Sequence, residues 1–336
     1  MRLSLALIAL SLTGALGAGA PPPTLVTDMV EKRTKLKTHS MYAPYVDSDL
    51  QNRWWDFGGD TIINTNKHVR LTQDKASQSG WLWSRLPLAV PNWQIEFEFH
   101  VDGKGMSMYG DGFALWVTRD RATPGPVFGN QDHFTGLAVF FDTYANSRHG
   151  YSFPRITAML GDGRTPADLE GDNARNELAA CSKNFRRRNV ATKARLTYVK
   201  GKGLRLETQF DEWDKWDVCF DAPNVELPSS PFIGFTALTG DVADNHDIVG
   251  VSTYSATLYE KYRPAQNVGV GAPPMQKPLA QTRDHLSGGR APVKTGGAAG
   301  WFLFILKLIG VAAFVAFAVA AYRTYSAQQS RRPAYY

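Results

Sequence analysis

ARLTYVKGKGLRLETQF, residues 194–210, decides the fold class. On each side of GKG, apolar side chains alternate with polar or charged ones, so each half laid out as an extended chain has one dry face and one wet face. Gly201 and Gly203 supply the positive backbone angles that a tight turn needs. The stretch reads as a β-hairpin.

Runs of the same kind recur outward from it: WQIEFEFHV (93–101), GFALWVT (112–118), GLAVFFDTY (136–144), RITAMLG (155–161), FIGFTALTG (232–240) and VGVSTYSATLY (249–259). Each is short and bounded by Gly, Pro, Asn or Asp. ADLEGDNARNELAAC (167–181) is the one place suited to a short helix or a long ordered loop. Strands without a repeat period predict one all-β, two-sheet sandwich over residues 21–263. Trp54, Trp55, Trp81, Trp83, Trp93 and Trp116 are expected in its core and at its sheet edges.

The flanks have other compositions. Residues 1–20 carry Arg2, an unbroken apolar run and then small residues, the layout of a secretory signal peptide. Residues 264–300 are rich in Pro and Gly and read as a stalk without heptads. Residues 301–322 are apolar and long enough for a single transmembrane helix, with Trp301 at the interface and Lys307 snorkelling towards it. Arg323, Arg331 and Arg332 favour a cytosolic tail over 323–336, hence a single-pass type I topology. The net charge of +6 by itself suggests nucleic acid, but much of it lies in the tail, the stalk and two local clusters, and the lumenal part does not meet nucleic acid.

Cys181 and Cys219, the two cysteines, both fall in the lumenal part and are expected to form a disulfide. It would close a loop of roughly 40 residues, worth about 3 to 4 kcal/mol. No Asn-x-Ser/Thr sequon occurs.

VFFDTYANSR (139–148) ends a strand with Asp142, Tyr144 and Asn146 on one side of the backbone. A hard cation takes carboxylate, amide and carbonyl oxygens, and this strand end offers all three. A second carboxylate is available at Asp162, Asp168, Glu170 or Asp172, among which charge alone does not choose. An Asx turn capping the strand accounts for Asp142 and Asn146 equally well without a metal.

RWWDFGGDTIINTNKHVRLT, GDGFALWVTRD, GPVFGN, GLAVFFDTYAN, ELAACSKNFRRR and TALTGDVADNHDI, spread in order over residues 53–259, together resemble the legume-like (L-type) lectins of the early secretory pathway. The resemblance implies a concanavalin-like jelly roll, Ca2+-dependent binding of high-mannose N-glycans on cargo glycoproteins, and no catalysis. It implies calcium ligands at Asp142, the Tyr144 carbonyl, Asn146 and Asp172, and sugar contacts at Ser77, Asp111, Asn146, Gly240, Asp241 and Val242. It also implies a cis peptide before Asp111. Without a coiled coil, the chain resembles the short-stalk vesicular members, which cycle between the endoplasmic reticulum, the intermediate compartment and the Golgi. The terminal Tyr335 and Tyr336 resemble the transport signals that vesicle coat proteins read.

Two departures stand out. Phe140 occupies the position of the glutamate that holds a transition metal in plant relatives, and Leu169 stands where the family often has a mannose-contacting histidine. His149, just beyond Asn146, is expected to be an exposed loop histidine without a role, with replacement of that missing contact as the alternative. A lumenal escort with a weakened sugar site is the alternative. A glycoside hydrolase is disfavoured: Glu96 and Glu98 share a strand face but lack a third acid at hydrolase spacing.

Overall fold

The computed structural model describes residues 25–264. The expected signal peptide, stalk, transmembrane helix, cytosolic tail and terminal tyrosines lie outside these residues. Among the described residues, no helix is long and apolar enough to cross a membrane.

In chain order the strands are β1 (Val30–Lys35), β2 (Trp55–Gly59), β3 (Ile62–Asn64), β4 (His68–Thr72), β5 (Ser79–Ser84), β6 (Asn92–Asp102), β7 (Gly112–Thr118) and β8 (Thr135–Asp142). They continue with β9 (Arg155–Asp162), β10 (Ala179–Ser182), β11 (Thr192–Val199), β12 (Gly203–Gln209), β13 (Asp217–Pro223), β14 (Phe232–Leu238) and β15 (Asn245–Leu258). Two antiparallel sheets result. The first runs β13-β12-β11-β6-β15-β4-β3, with β1 also pairing β15; the second runs β10-β9-β8-β7-β14-β5-β2. The hairpin over residues 194–210 is β11–β12, pairing Val199 with Gly203, and its turn places Gly201 at φ 69° and Gly203 at φ 136°.

Alternation explains the layering. On β6, Ile95, Phe97 and Phe99 are buried between the sheets while Glu96 and Glu98 face outward, Glu98 within 3.6 Å of Lys193. Phe113 and Phe141 stack across β7 and β8 with ring centroids 4.5 Å apart, and Phe97, Phe99, Phe185 and Phe235 close around them. Each such buried side chain is worth about 1.5 to 3 kcal/mol relative to an exposed one.

Strands β7 and β8 are buried on both faces. Their second faces, Ala114, Trp116, Ala138 and Phe140, lie under a smaller apolar cluster with Val127, Phe128 and Phe134 from the β7–β8 connection. These near-continuous apolar runs are the signature of doubly covered strands. Trp55, Trp83, Trp93 and Trp116 are fully buried, and Trp54 and Trp81 are packed at the margins.

Residues 167–181 form the long ordered loop rather than a helix, closed by turns and the short strand β10. Cys181 on β10 and Cys219 on β13 are bonded, so the disulfide ties an edge strand of one sheet to an edge strand of the other.

Candidate functional site

Three loops and one strand end meet at a rim of the second sheet. Asp142 closes β8, Asp111 precedes β7 and residues 239–244 follow β14, so the antiparallel neighbours β14-β7-β8 deliver them side by side, while the 163–178 loop leaves β9 at the opposite rim, where Asp162 pairs Thr135, and brings Asp172 back to the pocket. They enclose a pocket of about 180 Å³ lined by Asp111, Asp142, Asn146 and Asp172, with Pro126, Phe128, Leu169, Asn173 and Leu238 completing the wall.

Asp111 is held from behind. The Gly110–Asp111 peptide is cis. The Asp111 carbonyl accepts the Thr143 N–H at 2.9 Å and the Thr143 hydroxyl at 3.0 Å. Burial pushes its carboxyl up to about 6; the Gly240 N–H bonded to it opposes that shift, and the nearby charge of Asp241 adds to it. Val242 packs beside Gly110, and Gly240 accepts the Ser77 N–H at 3.0 Å. Ser77, Gly240, Asp241 and Val242 are thus gathered around Asp111, as the family pattern implies.

The second half of the pocket is acidic. Asp142 and Asp172 are 7% and 5% exposed. Burial pushes the Asp142 carboxyl well above the usual carboxylate range; the Tyr144 N–H pulls it back, and the charges of Asp172 and Asp111 push further. Asp172 accepts the Asn146 N–H at 3.0 Å, the Asn146 side-chain amide at 2.9 Å and the Ser147 N–H at 3.1 Å. Of the four acids that the sequence leaves open, the pocket takes only Asp172. Asp162 is spent on its own turn, accepting the Arg164 and Thr165 N–H groups, and Asp168 accepts the Gly171 N–H. Glu170 is exposed.

His149 departs from expectation. Its Nε2 lies 2.6 Å from Asp172 Oδ2, and its ring stacks on Tyr151 at 4.5 Å with the planes 9° apart. Two aromatic or imidazole rings spaced two residues apart carried the signal, but only the tertiary fold aims them at Asp172. The Asn146 amide nitrogen faces Asp172 here, so its oxygen points away from that carboxylate.

Among the described residues, no three His, Cys, Asp or Glu side chains converge as a metal cluster. A cation here would therefore draw on the two carboxylates together with amide and carbonyl oxygens, an all-oxygen set suited to a hard ion. Asp142 supports the fit: it is a buried acid beside two others, and its one hydrogen bond is from the Tyr144 N–H at 3.0 Å. Phe140, in contrast, stacks on Phe128 at 5.1 Å inside the apolar cluster, where a second metal ligand would have to sit.

Sequence reading did not foresee the apolar wall. Leu169 packs against the cluster of Phe128 and Phe140, which accounts for a leucine there as an anchor of its loop. GPVFGN carried Pro126 and Phe128 as family motif, without a hint that they line the pocket.

A family model described as the legume-like lectin family matches residues 32–262. Mouse vesicular integral-membrane protein VIP36 is 33% identical over 314 residues, covering 93% of this chain and 87% of its own length. An L-type lectin-like domain-containing protein of Schizosaccharomyces pombe is 39% identical over 233 residues, 69% of this chain and 75% of that protein. Among solved structures, the exoplasmic/lumenal domain of VIP36 in a Ca2+/Man2-bound form matches with a TM-score of 0.64 at 38% identity, covering 67% of this chain and 90% of that one. Its metal-free form matches with a TM-score of 0.62 at 36% identity, covering 67% and 99%.

Proposed function

This chain belongs to the legume-like lectin family, and from that premise we propose that it is a Ca2+-dependent lectin for high-mannose glycans, anchored in early secretory membranes as a cargo receptor. What carries the reading is the convergence of Asp111, Asn146, Asp142 and Asp172 on one pocket, with Ser77 and Gly240–Val242 packed around Asp111. That VIP36 is solved with Ca2+ and mannose-containing ligands supports it.

The residues present suit the roles. Asp142, Asn146, Asp172 and the Tyr144 carbonyl would hold the ion, which supplies the positive charge that two buried carboxylates lack. The Asp111 carboxylate accepts hydrogen bonds from vicinal sugar hydroxyls, and the backbone N–H groups of Asp241 and Val242 donate them. Asn146, between the two halves, links the sugar side to the acidic side. Phe128, Leu169 and Leu238 offer the apolar C–H face of a pyranose a dry surface. No step of this scheme breaks a bond, in keeping with a binding protein rather than an enzyme.

Membrane anchoring through 301–322, delivery by the signal peptide and coat recognition of Tyr335 and Tyr336 belong to the same proposal; that VIP36 is a vesicular integral-membrane protein supports the anchoring. The escort reading has one observation in its favour, the leucine at position 169 in the pocket wall. A glycan array probed with the full-length protein, first with calcium and then with chelator, tests both. Chelator-sensitive binding of mannose-rich glycans is expected; binding of none, with cargo transport intact in Asp111→Asn cells, would leave the escort.

A further inference from the structure

Two segments bring sugar-contacting groups to the pocket without belonging to a strand: 103–111, which ends in Asp111, and 239–244, which contains Gly240–Val242. Both are fastened to a side chain that does not line the pocket. Arg186 is 6% exposed and donates from Nε and Nη2 to the two oxygens of Asp244, each at 2.7 Å, and Asp244 is fully buried. The same Nη2 donates to the Gly105 carbonyl at 2.8 Å, and the guanidinium lies 3.9 Å over the ring of Tyr109. Tyr109 adjoins Gly110, the partner of Asp111 in the cis peptide; Asp244 is two residues beyond Val242.

We infer that Arg186 is a positioning residue for the sugar pocket: gripping Tyr109 and Gly105 on one segment and Asp244 on the other, it sets the separation of Asp111 from Gly240–Val242. The inference rests on the lectin reading above. Three demands meet in that one group: a bidentate fork for a carboxylate, a further donor for a carbonyl, and a flat face for an aromatic ring. Arginine meets all three, while lysine offers a point charge without fork or face. A buried ion pair is weak evidence of stabilisation, since apolar replacements often serve as well. Its place here is better explained by geometry, because Gly103 approaches Asp244 so closely that a Cβ would stand 2.2 Å from Oδ1. The two segments are thus packed directly against each other at the fork.

The test titrates full-length protein in saturating calcium with an α-linked mannose disaccharide, and separately titrates calcium. Arg186→Lys and Arg186→Gln are expected to weaken the disaccharide about tenfold or more while calcium affinity stays within about twofold, because Asp142 and Asp172 are not fastened to Arg186. Arg205→Lys, at the equally forked Arg205–Asp221 pair away from the pocket, serves as a control for general loss of stability and should leave disaccharide affinity unchanged. Tyr109→Leu, which keeps the ion pair and removes the stacked face, should weaken the sugar severalfold and carries the test if the Arg186 variants do not fold. Sugar affinity within twofold of wild type in Arg186→Lys or, in that event, Tyr109→Leu overturns the inference, as does a parallel loss of calcium affinity. No disaccharide binding by the wild type would instead sink the lectin reading itself, and this inference with it.

Discussion

Gly240 stands so close to Asp111 that a Cβ added to it would lie 3.3 Å from Oδ2 and 3.5 Å from Oδ1. That spacing lets the Gly240 N–H bond the carboxylate, and a methyl group would fit only if the carboxylate gave way by a few tenths of an ångström. Gly240→Ala is therefore expected to weaken mannoside binding about three- to tenfold. Folding stability should be unchanged or slightly raised, since alanine narrows the unfolded ensemble by about 0.4 to 1 kcal/mol. Calorimetric titration beside thermal melting separates the two effects.

Asp142 is a buried acid facing two others, with no cationic side chain paired to it in the described structure. Asp142→Asn removes the cost of burying a charge, and with it the repulsion from Asp172 and Asp111, in the ion-free protein, so the melting temperature in chelator is expected to rise by a few degrees. The same variant should lose the upward thermal shift that calcium gives the wild type. A melting temperature in chelator no higher than that of wild type would contradict the first expectation, and a wild-type melting curve indifferent to calcium the second.

Leu169 forms part of the pocket wall and packs on the Phe128–Phe140 cluster. Leu169→His would add a hydrogen-bonding group where the wall is now apolar, and is expected to tighten mannoside binding by about 2- to 10-fold, the range given by one hydrogen bond of about 0.5 to 1.5 kcal/mol. It should cost some stability through lost packing. An unchanged affinity would show that this wall does not touch the sugar.

His246 is buried, accepts or donates one short hydrogen bond at 2.7 Å with the Thr72 hydroxyl, and lies near Arg186. Burial first, and the charge of Arg186 second, push its pKa down to about 3 from 6.5. The imidazole is then neutral in the fold and takes a proton only on unfolding. Its contribution is complete above about pH 6.5 and is lost as the pH falls towards 3. Wild type should lose on the order of 2 kcal/mol relative to His246→Asn between pH 7 and pH 4.5, read from denaturant curves of both. Equal pH slopes would show that His246 carries no such penalty.

Much of the site was legible because its motifs are contiguous. DTYAN offers three oxygen donors within five residues, and TGDV presents a run of backbone N–H groups. Choosing Asp172 over Asp162, Asp168 and Glu170 needed either the family pattern or the fold, because those acids differ in what surrounds them rather than in chemistry. His149 was misjudged for the same reason: its partner Asp172 lies 23 residues away and meets it only across the folded loop. The apolar wall was invisible, since Phe128 and Leu169 come from two separate connections and Leu238 from the end of β14.

From its own order of residues the chain determined the all-β class, the hairpin at 194–210, the strands whose alternate side chains are apolar, and the two cysteines able to join. These are local periodicities, set by the two-residue repeat of an extended backbone. Which strands became neighbours, and hence which loop ends face one another, was decided by packing two sheets around a shared core. That packing joins residues distant in sequence, so only the tertiary structure brought Asp111, Asp142, Asp172 and Gly240 to one rim and set Arg186 behind two of their loops.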